Sequence, residues 1–376
     1  MLLKSERFAL LPAVALLALL ASGCDDGVSR VGSHPLHVFV IVLENKGFDV
    51  TFGPSSKAPF LSRELTSRGQ LLRQYHGIGH FSLDNYVAMV SGQGPNAITQ
   101  SDCQIYLDFV GLPALDLNGQ AVGQGCVYSP IVKTIADQLE SGGLTWKGYM
   151  QDMGNAIPRE RPTCRHPDLN AQDDTQSAHA GDQYAARHNP FVYFHSIIDD
   201  QERCDAHVVP LERLPEDLRH DFSTPSYVFI TPNLCEDGHD APCVDGKPGG
   251  LVSSDGFLQQ WVPLILDSDA FQENGLLAIL FDEAESTGAG ADASACCSQP
   301  IGPNTPLAGI TGLGGGRTGA VLISPFIEAG SVNDTPYNHY SFLRTVEDLF
   351  GLPHLGYAGA TGLAAFGQDV YGGPVR

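Results

Sequence analysis

The chain has 376 residues and a formal net charge of −22 at pH 7, with 43 acidic residues against 21 basic ones. A chain this acidic repels nucleic acids and anionic membrane surfaces, so we expect neither as a direct partner. Its 43% apolar content is ordinary for a globular protein and argues against global disorder.

The first 23 residues have the pattern of a signal peptide. Lys4 and Arg7 precede an apolar run, Phe8–Ser22, that is short for a membrane span and leads to a small-residue cleavage site. Cys24 follows directly, which indicates a lipid-modified cysteine. The alternative is plain secretion with Cys24 free or paired. Residues 24–35 form a linker in this interpretation. We therefore expect an exported protein, either a cell envelope lipoprotein (periplasmic or cell surface) or a secreted one. It would meet a membrane only through this lipid.

Eight cysteines remain once Cys24 is set aside, and an even number in an exported chain indicates disulfide bonds. The candidate pairs lie at short separations along the chain: Cys103–Cys126, Cys164–Cys204 and Cys235–Cys243. Cys296 and Cys297 are adjacent, and we expect them to pair with other partners rather than with each other.

Strands and helices alternate along the rest of the chain. The predicted elements are, in order, a buried strand at 37–43, helices at 58–68, 83–90 and 131–139, strands at 144–150 and 226–230, a helix at 257–266, strands at 275–281 and 319–325, and a helix at 339–350. Uniformly apolar runs such as His37–Leu43 are typical of strands covered on both faces. The pattern predicts a single α/β domain at 36–376, a three-layer α/β/α sandwich with a mostly parallel central sheet, decorated by a polar insertion at about 151–222.

Polar side chains follow three of the predicted buried strands. Glu44 and Asn45 come after the first strand, the segment 231–239 after the second, and Asp282 and Glu283 after the third. Ligands of open α/β sheets bind at the carboxyl ends of the strands. Carboxylates, amides and imidazoles are metal ligands, so these positions predict a metal site.

A nucleophile candidate, Ser82, lies just before the predicted helix that ends at Val90. The hydroxyl of Ser82 would lie near backbone N–H groups at the helix N-terminus, where a phosphate group binds well. Asn85 follows one turn later and could donate a hydrogen bond to a phosphoryl oxygen. The alternative is that Ser82 is simply the N-cap of the helix.

Five motifs occur in a fixed order along the chain: LENKGFD (43–49), HFSLDNY with VSG (80–86 and 90–92), TPNLCEDGH (231–239), FDEAES (281–286) and NHYSFLRTVEDLFG (338–351). In this order they resemble the bacterial phosphoesterase family. That family contains acid phosphatases and phospholipases C and belongs to the alkaline phosphatase superfamily, so the resemblance implies an alkaline-phosphatase-like fold.

The resemblance also implies roles for the matching residues. Ser82 would be the nucleophile, Asn85 a phosphate contact, and His80 a supporting residue behind the nucleophile. The implied metal ligands are Glu44, Asn45, Asp282 and Glu283 for a first ion, and His239 with Asn233 or Asp237, together with His339, for a second. Histidines outside the motifs, among them His188, are interpreted as surface or structural residues.

Two departures from the family pattern leave the metal open. Asn233 stands where two-metal relatives usually have aspartate, and Glu283 stands where many superfamily members have histidine. A first site built wholly from oxygen ligands favours Ca²⁺, Mg²⁺ or Mn²⁺ over Zn²⁺. We therefore expect one or two divalent ions of unassigned identity.

The function implied by the resemblance is phosphoester hydrolysis. We expect a phosphomonoesterase of the acid phosphatase type that acts on a small phosphorylated substrate through a phosphoserine intermediate. The alternatives are a phospholipase C or other phosphodiesterase acting on a phospholipid head group, and a surface binding lipoprotein that kept the fold and lost the chemistry.

Overall fold

The computed structural model describes residues 36–156, 159–160 and 164–372. The predicted signal peptide, Cys24 and the linker 24–35 lie outside these residues. Within the described ranges, no helix is both long enough and apolar enough to span a bilayer.

Twelve strands occur in the described part of the chain: β1 (His37–Leu43), β2 (Gln70–Leu72), β3 (Tyr75–His76), β4 (Val110–Gly111), β5 (Gly123–Gln124), β6 (Trp146–Met150), β7 (Val208–Pro210), β8 (Tyr227–Thr231), β9 (Gly275–Phe281), β10 (Ala320–Ile323), β11 (Ser331–Asn333) and β12 (Tyr337–Asn338). Eight of them form one sheet in the order β11-β2-β10-β9-β1-β8-β6-β7, and β12-β3 and β4-β5 form two small ladders. The five strands from β9 to β7 run parallel, whereas β10 is antiparallel to both of its neighbours.

Helices cover this sheet: α1 (Phe48–Phe52), α2 (Thr66–Arg68), α3 (Ser82–Ser91), α4 (Ile135–Ser141), α5 (His195–Ile198), α6 (Gln201–His207), α7 (Leu214–Asp217), α8 (Gly250–Leu266), α9 (Asp269–Asn274), α10 (His339–Phe350) and α11 (Gln368–Tyr371). A π-helical stretch, Phe60–Leu65, leads into α2. Short 3₁₀ turns lie at Thr99–Ser101, Asp174–Gln176, Ala186–His188, Pro190–Tyr193, Leu211–Arg213, Asp221–Ser223 and Gly356–Gly359.

The sheet has an apolar core on each face. Along β1 the side chains alternate, so Val38, Val40 and Val42 pack with α3, α4 and α10. The residues between them, from Phe39 to Leu43, pack with α8 and α9 on the other face. Each fully buried side chain of this size contributes about 1.5–3 kcal/mol of hydrophobic stabilisation. The predicted three-layer sandwich with a mostly parallel sheet is therefore confirmed.

Most predicted elements are present, with shifted ends where local signals were misread. β1, β9 and α10 match the predicted ranges residue for residue. α4 begins only at Ile135, because Thr134 caps it: Thr134 Oγ accepts from the Asp137 backbone N–H, and the Asp137 carboxylate accepts from the Thr134 backbone N–H. α8 begins at Gly250, seven residues before the predicted start at Phe257.

The segment at about 151–222 does more than decorate the sheet, because its strand β7 forms the sheet edge beside β6. Disulfides join the predicted pairs Cys103–Cys126, Cys164–Cys204 and Cys235–Cys243. Cys296 pairs with Cys297, so the expectation of other partners for these two was wrong. The physical reason is simple: the other six cysteines of the described chain are already paired with one another.

Candidate active site

Three neighbouring parallel strands, β9, β1 and β8, bring their carboxyl ends together. The backbone N–H of Glu44 donates to the carbonyl of Asp237 at 2.8 Å, and that of Asp282 donates to the carbonyl of Leu43 at 2.9 Å. The backbone N–H of Asn45 donates to Asp282 Oδ1 at 2.9 Å. Residues far apart in sequence therefore meet at one edge of the sheet.

Ser82 is the first residue of α3 and points its hydroxyl at this edge. Its Oγ donates to Glu44 Oε2 at 2.8 Å, and the side chain is buried. The N-cap of α3 is Phe81, so Ser82 does not cap the helix. The hydroxyl lies instead at the positive end of the helix dipole, beside a carboxylate.

Glu44 connects the parts of the site. Its Oε2 also accepts from Asn45 Nδ2 at 2.9 Å, and its Oε1 accepts from the Tyr86 hydroxyl at 2.5 Å. Tyr86 lies one turn after Ser82 on α3, and this spacing puts both hydroxyls on the same helix face. One helix face thus fixes both oxygens of the Glu44 carboxylate.

Three carboxylates are fully buried here: Glu44, Asp237 and Asp282. Burial raises the pKa of all three, to about 7 for Asp237 and about 6 for Asp282, and repulsion from these two neighbours raises the pKa of Glu44 further. None of the three forms an ion pair with a lysine or arginine of the described residues. Asp237 Oδ2 and Asp282 Oδ2 accept no hydrogen bond from any described residue.

His188 completes this group, although the sequence analysis interpreted it as a surface or structural residue. Its Nδ1 lies 3.2 Å from Asp237 Oδ2 and its Nε2 lies 3.5 Å from Glu44 Oε1, while its ring stacks on Tyr86. Burial, and then the charges of nearby cationic groups, lower the pKa of His188 well below its usual value. A neutral imidazole is the form that binds metal. Ligand atoms of Glu44, His188 and Asp237 all lie within 4.8 Å of one another.

This donor set fits a divalent cation. Three carboxylates buried without a basic partner are unfavourable unless a cation compensates them, and two of their oxygens have no other hydrogen-bonding role. Carboxylate oxygens with one imidazole suit Mg²⁺ or Mn²⁺ and admit Zn²⁺.

Asn85, the predicted phosphate contact, is hydrogen-bonded to the backbone of the segment that precedes Ser82. Asn85 Oδ1 accepts from the backbone N–H groups of Ile78 and Gly79, and its Nδ2 donates to the carbonyls of Gly79 and Phe81. The amide therefore braces the segment before Ser82 and has no donor left for phosphate.

His80 and Glu283 form a buried pair with each other. The Nε2 of His80 lies 3.0 Å from the carbonyl oxygen of Asp292, and burial lowers the pKa of His80. Glu283 is therefore engaged by His80, whereas Asp282 lies with Glu44 and Asn45.

The residues implied for a second ion separate in the structure. Asn233 Oδ1 accepts from the backbone N–H groups of Cys235 and Glu236, and so shapes the turn that carries Asp237. Both ring nitrogens of His339 have partners, the carbonyl of Asp282 at 2.6 Å and the Tyr75 hydroxyl at 3.0 Å, and burial lowers its pKa to about 4. The structure brings Asp237 to Glu44, but not Asn233 or His339.

His239 lies at the rim of the site. Its side chain is 38% exposed, and its Nδ1 lies 2.7 Å from Asp240 Oδ1. Its Nε2 lies 3.4 Å from Arg187 Nη2, and the ring centroids of His239 and His188 are 6.1 Å apart. Neither Arg187 nor His188 was among the predicted site residues. Neither a motif nor a period in the sequence marks these two residues, although the apolar run Phe191–Phe194 that follows them is buried in the core.

Residues 55–353 match the model of the Phosphoesterase family. The chain is 27% identical over 318 residues to a probable acid phosphatase of Kluyveromyces lactis, covering 85% of this chain but only 59% of that relative. It is 23% identical over 322 residues to a phosphatidylinositol-3-phosphatase of Mycobacterium tuberculosis, covering 86% of this chain and 79% of the relative. A Vibrio parahaemolyticus protein of the alkaline phosphatase superfamily aligns at 14% identity with a TM-score of 0.48, covering 85% of this chain and 67% of that chain.

Proposed function

The chain belongs to the Phosphoesterase family, as its motifs predicted, and on this premise we propose that it is a metal-dependent phosphomonoesterase with Ser82 as nucleophile. One observation carries the proposal. The Ser82 hydroxyl is hydrogen-bonded to a buried carboxylate that belongs to a group of three carboxylates and a neutral imidazole. A nucleophile and a cation-binding group therefore lie in direct contact.

The proposed ligands are Glu44, Asp237, Asp282 and His188, with the side-chain oxygen of Asn45 available beside them. Glu44 contacts Ser82 through one carboxylate oxygen and faces His188 through the other. The number of ions, one or two, stays a prediction. A bound divalent ion supplies positive charge for the phosphoryl oxygens and favours the alkoxide form of serine.

Three residues have separate roles in the proposed reaction. Ser82 Oγ attacks phosphorus while the bond to the leaving oxygen breaks, and Glu44 Oε2 is placed to accept the hydroxyl proton. The product is a phosphoserine, which water hydrolyses to restore the hydroxyl. His239 is the partly exposed histidine of the site, and we assign it the proton given to the leaving oxygen.

The relatives support a monoester substrate. One is a probable acid phosphatase and another a phosphatidylinositol-3-phosphatase, so a small phosphorylated molecule is the first candidate and a phosphorylated lipid head group the second. Four disulfides in the described chain are typical of an oxidising compartment, which supports export. The lipid on Cys24 stays a prediction.

The test is hydrolysis by the mature protein, with p-nitrophenyl phosphate compared with p-nitrophenylphosphorylcholine. Metal is removed with EDTA and then Ca²⁺, Mg²⁺, Mn²⁺ and Zn²⁺ are restored singly. We expect metal-restored turnover of the monoester, abolished in Ser82→Ala. Turnover mainly of the diester would instead indicate a phosphodiesterase, and metal binding without turnover of either would indicate a binding protein.

A further inference from the structure

Arg187 is a buried arginine with an unused hydrogen-bond donor. Its side chain is only 3% exposed, and its Nε has no hydrogen-bond partner among the described residues. Nε forms an ion pair with Asp102 Oδ2 at 3.7 Å, which is too far for a hydrogen bond. Nη1 donates to the carbonyl of Gln176 at 3.0 Å, and Nη2 approaches His239.

Asp102 connects Arg187 to the helix that begins with Ser82. Asp102 lies between the guanidinium and the start of α3, because its Oδ1 accepts from the backbone N–H of Leu83, the residue after Ser82. On the other side Arg187 adjoins His188, which contacts Glu44 and Asp237. Arg187 is therefore linked to the start of α3 through Asp102 and to the carboxylate group through its neighbour His188.

The negative charge around the site favours a cationic side chain where phosphate is to bind. A phosphoryl dianion must approach a chain of net charge −22 and a cluster of buried carboxylates. A guanidinium is the side chain best suited to phosphate, because it is always charged and offers several N–H donors in one plane. Its positive charge acts on Asp102, His188 and Asp237, which shows that it lies within electrostatic reach of the group.

We propose that Arg187 binds a non-bridging phosphoryl oxygen of the substrate through its free Nε–H, and that Asp102 positions it. This inference rests on the proposed function, since it assigns a residue to the same site. A hydrogen bond to a charged group contributes enough to change affinity about 10- to 100-fold.

The test measures binding of inorganic phosphate by calorimetry, in the presence of Mg²⁺, for the wild type, Arg187→Gln and Arg187→Lys. We expect Arg187→Gln to bind phosphate about 10- to 100-fold more weakly and Arg187→Lys to fall between, because lysine keeps the charge and loses the planar donors. Arg203→Gln is the matched control, since Arg203 pairs with Asp137 and Glu140 instead. It should bind phosphate as the wild type does.

The outcomes separate this inference from the proposed function. Unchanged phosphate affinity in Arg187→Gln, or an equal loss in Arg203→Gln, would overturn the assignment whatever the hydrolytic activity. Wild-type protein that binds no phosphate would overturn it as well. Turnover of p-nitrophenyl phosphate by the wild type is measured separately, and its absence would count against the proposed function alone. If Arg187→Gln does not fold, Arg187→Lys carries the comparison.

Discussion

Replacing Asp237 by asparagine should stabilise the metal-free protein and remove its stabilisation by metal. The Asp237 carboxylate is buried near Glu44, and its pKa rises from 3.8 to about 7, mainly through burial. The unfolded chain loses this proton near pH 4, whereas the folded chain keeps it until about pH 7. The carboxylate therefore costs no stability at low pH, costs progressively more as the pH rises from about 4, and costs most above about 7.

The size of the effect follows from the width of this pH window. About three pH units correspond to about 4 kcal/mol of lost stability above pH 7. Asparagine is neutral at every pH and keeps the oxygen that accepts the backbone N–H of His239. Because the amide still has to be buried, we expect a net gain of about 2 kcal/mol at pH 8 and no gain at pH 4.

The assay is urea unfolding at both pH values, with EDTA and with an added divalent ion. The wild type should gain stability with the ion, and Asp237→Asn should gain little, so the order of the two proteins reverses. Asp217→Asn is the control, because Asp217 accepts from Lys147 and the Tyr149 hydroxyl, and its loss should destabilise the protein with or without metal. A metal-free Asp237→Asn protein less stable than wild type at pH 8 would refute the reasoning about the buried carboxylate.

Two further substitutions test supports of the site, and a third tests a buried carboxyl group on α10. Tyr86→Phe removes the hydrogen bond to Glu44 Oε1 and should weaken metal affinity about tenfold, seen as a shifted metal titration of activity; an unshifted titration would count against this role. Asn85→Ala leaves the backbone N–H groups of Ile78 and Gly79 without acceptors, so the free energy of unfolding measured in urea should fall by about 1–3 kcal/mol. The substitution should also lower kcat more than it raises KM. A change in KM alone would point to a direct phosphate contact instead. Burial raises the pKa of Glu347 to about 9, so its contribution to the stability of the fold falls as the pH rises from about 4.5 to 9. Glu347→Gln should therefore lose less stability between pH 5 and pH 8 than the wild type. Equal losses in the two proteins would exclude this carboxyl group as the cause.

The fold was predictable where the hydrophobic pattern was long and unambiguous. β1 and β9 are seven-residue apolar runs, and no competing helical period obscures them. β2 and β11 have three residues each, too few to show any period. The antiparallel direction of β10 is set by pairing with β9 and β2, which are distant in sequence, so no local signal could give it.

The site was predictable to the extent that it lies at strand ends. Glu44, Asp237 and Asp282 follow three buried strands, and the adjacency of those strands in the sheet brings them together. His188 comes from a 3₁₀ turn in the polar middle segment, where neither period nor motif marks it. His339 was assigned from its motif, but in the structure its Nε2 contacts the carbonyl of Asp282 and its Nδ1 contacts the Tyr75 hydroxyl.

Glu44 explains why fold stability and chemistry are linked in this chain. One of its oxygens receives the Ser82 hydroxyl, and the other receives the Tyr86 hydroxyl and faces His188. The sheet forces this carboxylate together with two others in a dry environment, where their repulsion opposes folding. The same repulsion creates the negative potential that would hold a cation against the nucleophile. A substitution that relaxes the cluster should therefore stabilise the protein and weaken its activity at the same time.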